Sequence, residues 1–571
     1  MTDPAPTDSS SGKRGSAARG RSDSFFARHF PLLGWLRRAD AGSHRADVLA
    51  GLTVAAMLVP QSMAYAALAG MPPVTGLYAS TVPLVAYALL GTSGQLAFGP
   101  VAIVSLLTAS TLAPLAEGDP GRYVALAGLL ALLVGGIQVA LGLVRAGRLT
   151  SLLSHPVVSG FTSAAAIVIA TSQLDKLLGI GIGRPDGWLE RIGAILSGLG
   201  ATHLPTLLVG VVAIAALVLG RRLGPRIPTP LLVVIATTAA VPLLGLEELG
   251  VAILGEVPSG LPRPTLPTAP LETLVALLPG ALIIALLSYM EGISVARAVA
   301  ARTRDRIDPD QELLASGAAN LAAGVFQAFP VAGGFSRTAV NHTAGARTPL
   351  ASLVTAAGVL LALLVFAPLF TTLPQVVLAA VVLVAVAKLV DVREARHAWQ
   401  VERTDGIALT VTFLATLLLG VEIGIGIGIA VSLLLSLWRV GIPRIEVEWA
   451  TDAAVLHVEG DLLPASSARL LDAIEDHLAG SSPGASHLVL DLAGVPSADV
   501  SGVNALATAD AACRTAEVEL HLAGVRAGVT APLERAHVLA RFAGRVHPDT
   551  ATALGAVGQP SASGALSAQA T

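Results

Sequence analysis

Long apolar stretches run through the middle of the chain, and most charged residues lie in the short segments between them. From Val48 to Ala116 there is no Asp, Glu, Lys or Arg. A helix needs about 20 apolar residues to cross the hydrocarbon layer of a bilayer. Breaks at charge clusters and at Pro or Gly divide residues 47–441 into fourteen predicted membrane helices, the third and tenth of them short: 50–69, 74–91, 98–114, 122–143, 156–173, 203–219, 229–245, 272–292, 312–328, 335–345, 350–369, 374–390, 405–419 and 422–439.

The basic residues between these segments are distributed unevenly. Lys and Arg collect in the cytosolic loops of membrane proteins. The loops after odd-numbered segments hold few of them: Arg122, Lys176, Arg184, Arg191 and Arg263. The loops after even-numbered segments hold many more: Arg145, Arg148, Arg221, Arg222, Arg226, Arg302, Arg304, Arg306, Arg347, Lys388, Arg393, Arg396, Arg403, Arg439 and Arg444. This asymmetry predicts an even number of spans with both termini in the cytosol.

Composition agrees with a membrane protein, since 53% of the residues are hydrophobic and only 13% are charged, against roughly 25% charged in soluble domains. The single cysteine, Cys513, excludes an internal disulfide and a multi-thiolate zinc site. A net charge of −3 gives no indication of nucleic-acid binding. The histidines considered, His155, His203, His342 and His397, are scattered, so the sequence predicts no metal site and no cofactor.

The third and tenth segments occupy corresponding positions if the fourteen form two halves of seven. An odd number of spans in each half makes the repeat inverted, and such transporters bind substrate at the midplane between discontinuous helices. The third segment opens with Phe98-Gly-Pro-Val-Ala102 and the tenth with Ala332-Gly-Gly-Phe-Ser-Arg337. Each is a helix breaker followed by a short helix. Two facing helix N-termini offer free N–H groups and positive dipole ends, which predicts an anion site.

Four polar side chains inside the apolar segments are candidates for this site. Pro60 lies within the first segment, and Gln61 and Tyr65 follow it one turn apart; a packed kink is the alternative. Glu291 ends an apolar run, and an intramembrane carboxylate is a functional candidate; the alternative is that it snorkels to the cytosolic interface or pairs with Arg297 or Arg337. Arg337 follows the Gly-Gly break directly, and an ordinary interfacial arginine is the alternative.

The termini differ from the apolar region. Residues 1–44 are predicted to form a flexible cytosolic tail with Phe25, Phe26 and Phe30 on the membrane surface. From Pro443 alternating apolar residues predict a small α/β domain, 443–555, followed by a disordered tail, 556–571. Its predicted elements are strands at 445–449, 455–458, 487–492 and 517–523, helices at 466–478, 501–514 and 531–542, and a turn at 450–452.

Several segments resemble the sulfate permease family, and the C-terminal domain resembles its STAS domain, a fold shared with anti-sigma factor antagonists. The resemblance covers residues 45 to about 550. It is carried by these stretches: Gly51–Val54, Met57–Ala69, Pro72–Tyr78, Gly99–Leu106, Glu291, Asp308–Glu312, Phe329–Asn341 and Ala344–Pro349.

The resemblance implies a transport domain, 45–441, of fourteen spans in two inverted seven-span repeats. In it a core moves against a gate, usually within a homodimer. It also implies an anion held between spans three and ten. The binding residues that it implies are Gln61, Tyr65, Ala102 and Ile103 through their N–H groups, Phe335, Ser336 and Arg337.

Two further positions carry expectations from the family. Glu291 stands where sodium-coupled bicarbonate members have an aspartate, and Val295 replaces their hydroxyl residue; this departure weakens a sodium site and makes Glu291 a candidate proton-coupling residue. Ser501 matches the phosphorylatable serine of the antagonists and is a regulatory candidate. The alternative is an ordinary helix N-terminus capped by Asp499 or Ser501.

The predicted function is therefore secondary active anion transport in a bacterial inner membrane, with sulfate favoured, by an elevator-type alternating-access mechanism. The absence of a Walker A motif argues against an ATP-driven pump, and no residue constellation indicates an enzyme. Bicarbonate, a dicarboxylate or chloride remain alternative substrates. An uncoupled channel or exchanger, or a membrane-anchored signalling protein with a cytosolic partner at the STAS domain, remain alternative functions.

Overall fold

The computed structural model describes residues 31–36, 40–147, 154–183, 187–220, 222, 227–255, 258, 260, 264–440, 444–449, 453–480 and 486–557. The chain divides into two compact units, Met1–Ala430 (unit 1) and Val431–Thr571 (unit 2). Each unit has its own hydrophobic core.

In the part of the chain that the structure describes, unit 1 contains helices and one very short antiparallel pair of strands. In chain order its α-helices and strands are α1 Pro31–Leu36, α2 Ala41–Leu68, α3 Val74–Ala79, α4 Val82–Leu90, β1 Phe98–Gly99, α5 Ala102–Leu112, α6 Pro120–Leu143, α7 His155–Leu178, α8 Trp188–Gly198, α9 Leu204–Gly220, α10 Thr229–Leu244, α11 Leu271–Thr303, α12 Pro309–Val325, β2 Ala332–Gly333, α13 Phe335–Thr343, α14 Leu350–Leu361, α15 Gln375–Val386, α16 Val392–Val401, α17 Arg403–Leu419 and α18 Val421–Val440, whose second half belongs to unit 2.

A helix lies in each of the fourteen predicted segments, but several details of the prediction are wrong. The second segment is two helices, α3 and α4, because the chain breaks at Ser80 and Thr81. The helices α8 and α16 were not predicted, since their charged residues excluded them from an apolar pattern. The third segment begins as the strand Phe98–Gly99 and becomes helical only at Ala102, whereas the tenth is helical from its predicted start at Phe335.

Within the residues that the structure describes, five helices are by length and composition able to cross a membrane: Gly42–Leu68, Pro120–Leu143, His155–Leu178, Leu271–Thr303 and Leu350–Phe370. A sixth crossing is obtained if Trp188–Ala201 and Leu204–Gly220, bent by 116°, form one span. Shorter apolar helices account for most of the other segments. Fourteen crossings and an inverted repeat therefore stay predictions.

The predicted N-terminal tail lies largely outside the described residues, including Phe25, Phe26 and Phe30. Its described part is helical rather than irregular. Pro31–Leu36 forms α1, and α2 already begins at Ala41, where the side chain of Asp40 accepts a hydrogen bond of 2.7 Å from the N–H of Ser43. This cap satisfies an N–H that the first turn of a helix cannot pair internally.

Helices α6 and α12 pack with their backbones in near contact. A Cβ on Gly135 would lie 2.7 Å from the carbonyl oxygen of Gly317, and one on Gly324 would lie 2.6 Å from that of Gly128. Small residues allow this approach, which favours helix association in a bilayer. Glycine allows a similarly close approach between α18 and α17, where a Cβ on Gly424 would meet Thr416 at 2.3 Å.

Two buried carboxylates hold distant parts of unit 1 together. Glu312 in α12 accepts hydrogen bonds from the Tyr87 hydroxyl at 2.8 Å, the Thr92 N–H and hydroxyl at 2.7 and 2.6 Å, and the Ser93 N–H at 3.1 Å. Asp47 in α2 accepts three hydrogen bonds from residues 347 and 348. Both carboxylates are fully paired, which indicates a structural role.

Unit 2 contains a five-stranded sheet in the order β3-β4-β5-β6-β7. The pair β3–β4 is antiparallel and the other pairs are parallel. Its elements are β3 Arg444–Trp449, β4 Ala453–Glu459, α19 Pro464–Gly480, β5 His487–Gly494, α20 Val500–Thr515, β6 Glu519–Ala523, α21 Ala527–Arg535, β7 Val546–His547 and α22 Thr550–Val557.

The sequence identified most of these elements but not the end of the unit. The predicted helix 531–542 is instead α21, which starts at Ala527, followed by a short 3-10 helix, Leu539–Phe542. The break falls at His537, whose φ of 55° is left-handed. Strand β7 and α22 were missed, and α22 includes the first two residues of the predicted tail 556–571; residues 558–571 and the predicted turn 450–452 lie outside the described residues.

Glu312 supplies a stability prediction. Glu312→Ala leaves several buried donors without an acceptor, and each costs about 1–3 kcal/mol. We expect the thermal unfolding midpoint of the detergent-solubilised protein, followed by light scattering, to fall clearly. Glu272→Ala, at an exposed site in the first turn of α11, should leave it unchanged; equal midpoints for the two variants would show that the Glu312 contacts are dispensable.

Candidate functional site

The pair β1–β2 brings the starts of α5 and α13 together. Phe98 pairs with Gly333 and Gly99 with Ala332, antiparallel. One further backbone hydrogen bond, from the N–H of Gly334 to the carbonyl of Ala97 at 3.1 Å, continues the ladder. Each strand leads into its short helix within three residues. The sequence prediction that two interrupted segments meet is therefore confirmed for these residues.

Neither helix start is capped by a side chain. The N-cap residues are Val101 and Gly334, both extended, and neither makes a side-chain cap hydrogen bond. The first N–H groups of a helix have no intrahelical acceptor. In α5 these include the buried Ala102 and Ile103, and in α13 they include the exposed Phe335 and Ser336. Two positive dipole ends thus lie side by side, an arrangement suited to an anion.

Hydrogen bonds from α13 fix the chain that precedes β1. The hydroxyl oxygen of buried Thr338 accepts from the N–H of Ala97 at 3.0 Å. The Asn341 amide donates to the carbonyl of Gln95 at 2.9 Å. The Gln95 amide in turn donates to the carbonyl of Ala346 at 2.9 Å. The two half-helices are therefore locked in register by side chains as well as by the strands.

A second network fixes the chain that precedes β2. Buried Asn320 of α12 accepts from the N–H of Val331 at 2.8 Å and donates to its carbonyl at 3.2 Å. The same amide donates to Gln138 of α6 at 3.0 Å, and Gln138 donates to the Ser288 hydroxyl of α11 at 2.9 Å. Three helices thus position the two residues of β2.

Helix α11 passes directly over β2 and carries Glu291. A Cβ on Gly333 would lie 2.8 Å from the Cα of Gly292, so only hydrogen atoms fit between the two backbones. Glu291 precedes Gly292 and has a buried Oε2 without a hydrogen-bond partner. The structure therefore places the predicted coupling residue beside the crossing of the half-helices.

Helix α2 supplies the other predicted side chains. The Gln61 amide donates to the Tyr65 hydroxyl at 2.9 Å, and both residues are buried. Tyr65 interacts electrostatically with both Arg337 and Glu291. Because α2 also packs against α5 and α13, these four side chains belong to one site.

Arg337 is buried beside the N-terminus of α13 and is not open to solvent. The residue is 1% exposed, and its Nη1 donates to the carbonyl oxygen of Pro100. The guanidinium packs on the backbone of Gly334, where a Cβ would lie 2.9 Å from Nη2. Arg337 thereby joins α13 to the approach of α5 and adds a positive charge to the two dipole ends.

Unpartnered polar atoms are concentrated at this site. In the described part of the chain, nine buried side-chain N or O atoms have no hydrogen-bond partner, and six of them belong to α2, α5, α11 and α13. The six are Gln61 Oε1, Ser105 Oγ, Glu291 Oε2, Arg337 Nε, Arg337 Nη2 and Asn341 Oδ1. Buried polar groups are normally paired, so this concentration indicates a place where a bound ion or water completes the hydrogen bonds.

Sequence reasoning missed the residues that hold the site together. Thr338, Asn341 and Asn320 look like ordinary polar positions in apolar segments. Thr338 and Asn341 follow the second helix break, but their hydrogen bonds join segments more than 200 residues apart. The polar residues downstream of each break were the available signal.

The predicted regulatory residue, Ser501, lies in unit 2 and is not part of this site. It is the second residue of α20 and half-buried. The cap is Asp499, whose side chain accepts from the N–H of Gly502 at 3.0 Å. Of the two capping residues considered from the sequence, Asp499 is thus the one that caps.

Comparison with protein-family models identifies the family of this chain. Residues 45–412 match the model of the sulfate permease family. The chain belongs to the sulfate permease family. Residues 445–539 match a STAS domain model, so this family member carries a C-terminal STAS domain.

Several relatives are similar over most of their length. A probable sulfate transporter of Mycobacterium tuberculosis is 41% identical over 71% of this chain and 72% of its own. A chloroplastic sulfate transporter of Arabidopsis thaliana is 38% identical over 69% of this chain and 58% of its own. Human solute carrier family 26 member 6 is 34% identical over 75% of this chain and 60% of its own.

Solved structures agree in fold. The murine solute carrier 26 member A9 anion transporter, in an inward-facing state, superposes with a TM-score of 0.87 at 24% identity, over 95% of this chain and 96% of its own. The transmembrane domain of a cyanobacterial bicarbonate transporter superposes with a TM-score of 0.61 at 22% identity, over 69% of this chain and 98% of its own. This chain therefore has the sulfate permease fold, which consists of a helical membrane domain and a strand-containing STAS domain.

Thr338 tests whether the half-helix junction forms an anion site. Thr338→Val keeps the shape but leaves the buried Ala97 N–H without its acceptor, at a cost of about 1–3 kcal/mol. We expect a lower thermal midpoint and a smaller stabilisation by added sulfate. Thr343→Val in the same helix is the control, because its exposed hydroxyl bonds only to carbonyls of α13. Sulfate stabilisation that is identical in both variants and the parent would contradict the assignment.

Proposed function

We propose that this chain is a secondary active anion transporter that takes up sulfate. The observation that carries the proposal is the junction of two uncapped helix starts, α5 and α13, held by the β1–β2 pair. The anion would lie between the N–H groups of Ala102, Ile103, Phe335 and Ser336. The family comparison supports transport, because relatives at 38% and 41% identity are named as transporters.

Sulfate suits the charge of this junction. Each helix start carries roughly half a positive charge, and Arg337 adds a full one. In a site of low dielectric constant such charges attract a dianion more strongly than a monoanion. Two of the relatives are named as sulfate transporters. A bicarbonate transporter shares the fold, so bicarbonate is the substrate to compare first, with dicarboxylate and chloride after it.

The movement we propose is elevator-type alternating access. Each of the four helices that carry the candidate residues, α2, α5, α11 and α13, packs on two of the others, and α11 packs on β2. A site built on mutually packed elements can move as one body and keep its geometry. We therefore infer that these helices form the moving core of the transporter.

We further propose that Glu291 carries a co-transported proton. Its buried, unpartnered oxygen lies beside the anion junction, so protonation there offsets part of the charge of an incoming anion. A sodium ion is less suited, because oxygen ligands are needed and the residue one turn later is the buried Val295.

The remaining organisation is also proposed. We place the transport domain at 45–441 and the STAS domain at 443–555, in a homodimer in the bacterial inner membrane with both termini cytosolic. The STAS domain would contact a cytosolic protein partner, with Ser501 as a candidate phosphorylation site. No cofactor is required by this mechanism.

A competition panel in proteoliposomes tests the substrate. We expect unlabelled sulfate to inhibit uptake of labelled sulfate at lower concentrations than bicarbonate, fumarate, chloride or nitrate do, because the junction favours a dianion. Empty liposomes are the control. Stronger inhibition by any of the other anions would assign that anion as substrate instead.

The proton assignment is tested separately. We expect Glu291→Gln to abolish the stimulation of sulfate uptake by an inward pH gradient, since the amide cannot exchange a proton. Glu272→Gln, at the exposed start of the same helix, should retain it. Uptake by Glu291→Gln that still follows the gradient would remove Glu291 from the coupling step. Uptake by the unmodified protein that ignores the gradient would indicate an uncoupled exchanger or channel.

A further inference from the structure

Unit 2 carries a cluster of histidines on one face of its sheet. His487 of β5 lies opposite Glu519 of β6, and His521 follows Glu519 by two residues, so these three side chains share a face. His547 of β7 lies opposite Ala523, on the same face of the sheet. The membrane transport site described above uses none of them.

The three nearest ligand atoms form a compact triangle. His487 Nδ1 and His521 Nε2 are 3.3 Å apart. Glu519 Oε2 lies 3.7 Å from the first and 3.9 Å from the second. Zinc binds nitrogen and oxygen ligands at about 2.0–2.2 Å in a tetrahedral arrangement, which separates neighbouring ligand atoms by roughly 3.3–3.6 Å. Small side-chain adjustments would thus place all three atoms on one ion.

The second nitrogen of His521 is already oriented. Its Nδ1 lies 3.1 Å from the Nε2 of His547. Metal-bound histidines usually donate their other ring N–H to an acceptor, which fixes the ring and the tautomer. An imidazole Nδ1–H donated to His547 leaves the Nε2 lone pair of His521 directed at the triangle.

Burial and charge around the triangle are compatible with a cation. His521 is 6% exposed, and an imidazole nitrogen is a common metal ligand. Arg545 approaches only the other oxygen of Glu519, at 3.8 Å, and its Nη1 is paired with Asp510 at 2.9 Å. Glu519 Oε2 is therefore available to a metal.

We propose that His487, His521 and Glu519 form a binding site for a divalent transition metal of the zinc class, with His547 orienting His521. The partly exposed Glu519 gives the ion access from solvent, and a water molecule takes the fourth ligand position. Because the ligands come from β5 and β6, bound metal links these two strands and stabilises unit 2 by mass action.

The experiment uses the full chain in detergent after treatment with a chelator. Zinc affinity is measured by competition with a chromogenic chelator, and cobalt(II) is added separately to record the visible absorption typical of tetrahedral coordination. We expect one high-affinity zinc per chain. His487→Gln and Glu519→Gln should weaken it at least about tenfold, as should His547→Gln, since loss of an orienting partner costs roughly 10–100-fold.

Matched controls separate this site from adventitious binding. His397→Gln and Glu534→Gln change exposed residues outside the cluster and should retain both the zinc affinity and the cobalt spectrum. Unchanged zinc affinity in His487→Gln, or the loss of affinity in the control variants as well, would overturn the proposal. An octahedral cobalt spectrum in the parent protein would also overturn it.

Discussion

The structure of unit 1 depends on one interaction, the pairing of two two-residue strands at the crossing of interrupted helices. Non-helical backbone at membrane depth has to find hydrogen-bond partners within the protein. The β1–β2 ladder, with Thr338 and Asn320 at its ends, supplies them. The starts of α5 and α13 have no side-chain cap. The same pairing that makes the broken helices tolerable thus brings two positive helix ends together, and Gly333 is required because α11 leaves no room for a side chain.

Arg337 connects this backbone geometry with charge. Its guanidinium bonds to Pro100 on the opposite half-helix, so the residue that adds positive charge also holds the two helix starts together. Arg presents several donors in a planar array, whereas Lys presents a compact point charge. The negative partner is Glu291, which lies close enough to interact with Arg337 without forming an ion pair among the described residues. The site is therefore positive overall but contains a group that can alter its charge.

The sequence predicted the helical segments and the two interruptions, because the signals for both are local. Apolar runs of sufficient length mark helices, and Gly99-Pro100 and Gly333-Gly334 mark breaks. It did not predict the strand register, the bonds of Thr338 and Asn341 across more than 240 residues, or the fourfold pairing of Glu312. It also missed α16, whose charged surface removes it from an apolar pattern. Contacts of long sequence separation leave no periodic trace in a single chain.

The histidine cluster also could not be predicted from the sequence, but for a different structural reason. His487 and His521 are separated by 34 residues, far outside the spacing of a recognisable metal motif, and only the parallel pairing of β5 with β6 makes them neighbours. In unit 1 the candidate site lies where helices are interrupted, so helix breakers in the sequence indicate its position. In unit 2 the proposed metal site lies on a continuous sheet, because the sheet aligns side chains from different strands. Finding such a site requires the register of the strands, which local sequence patterns do not determine.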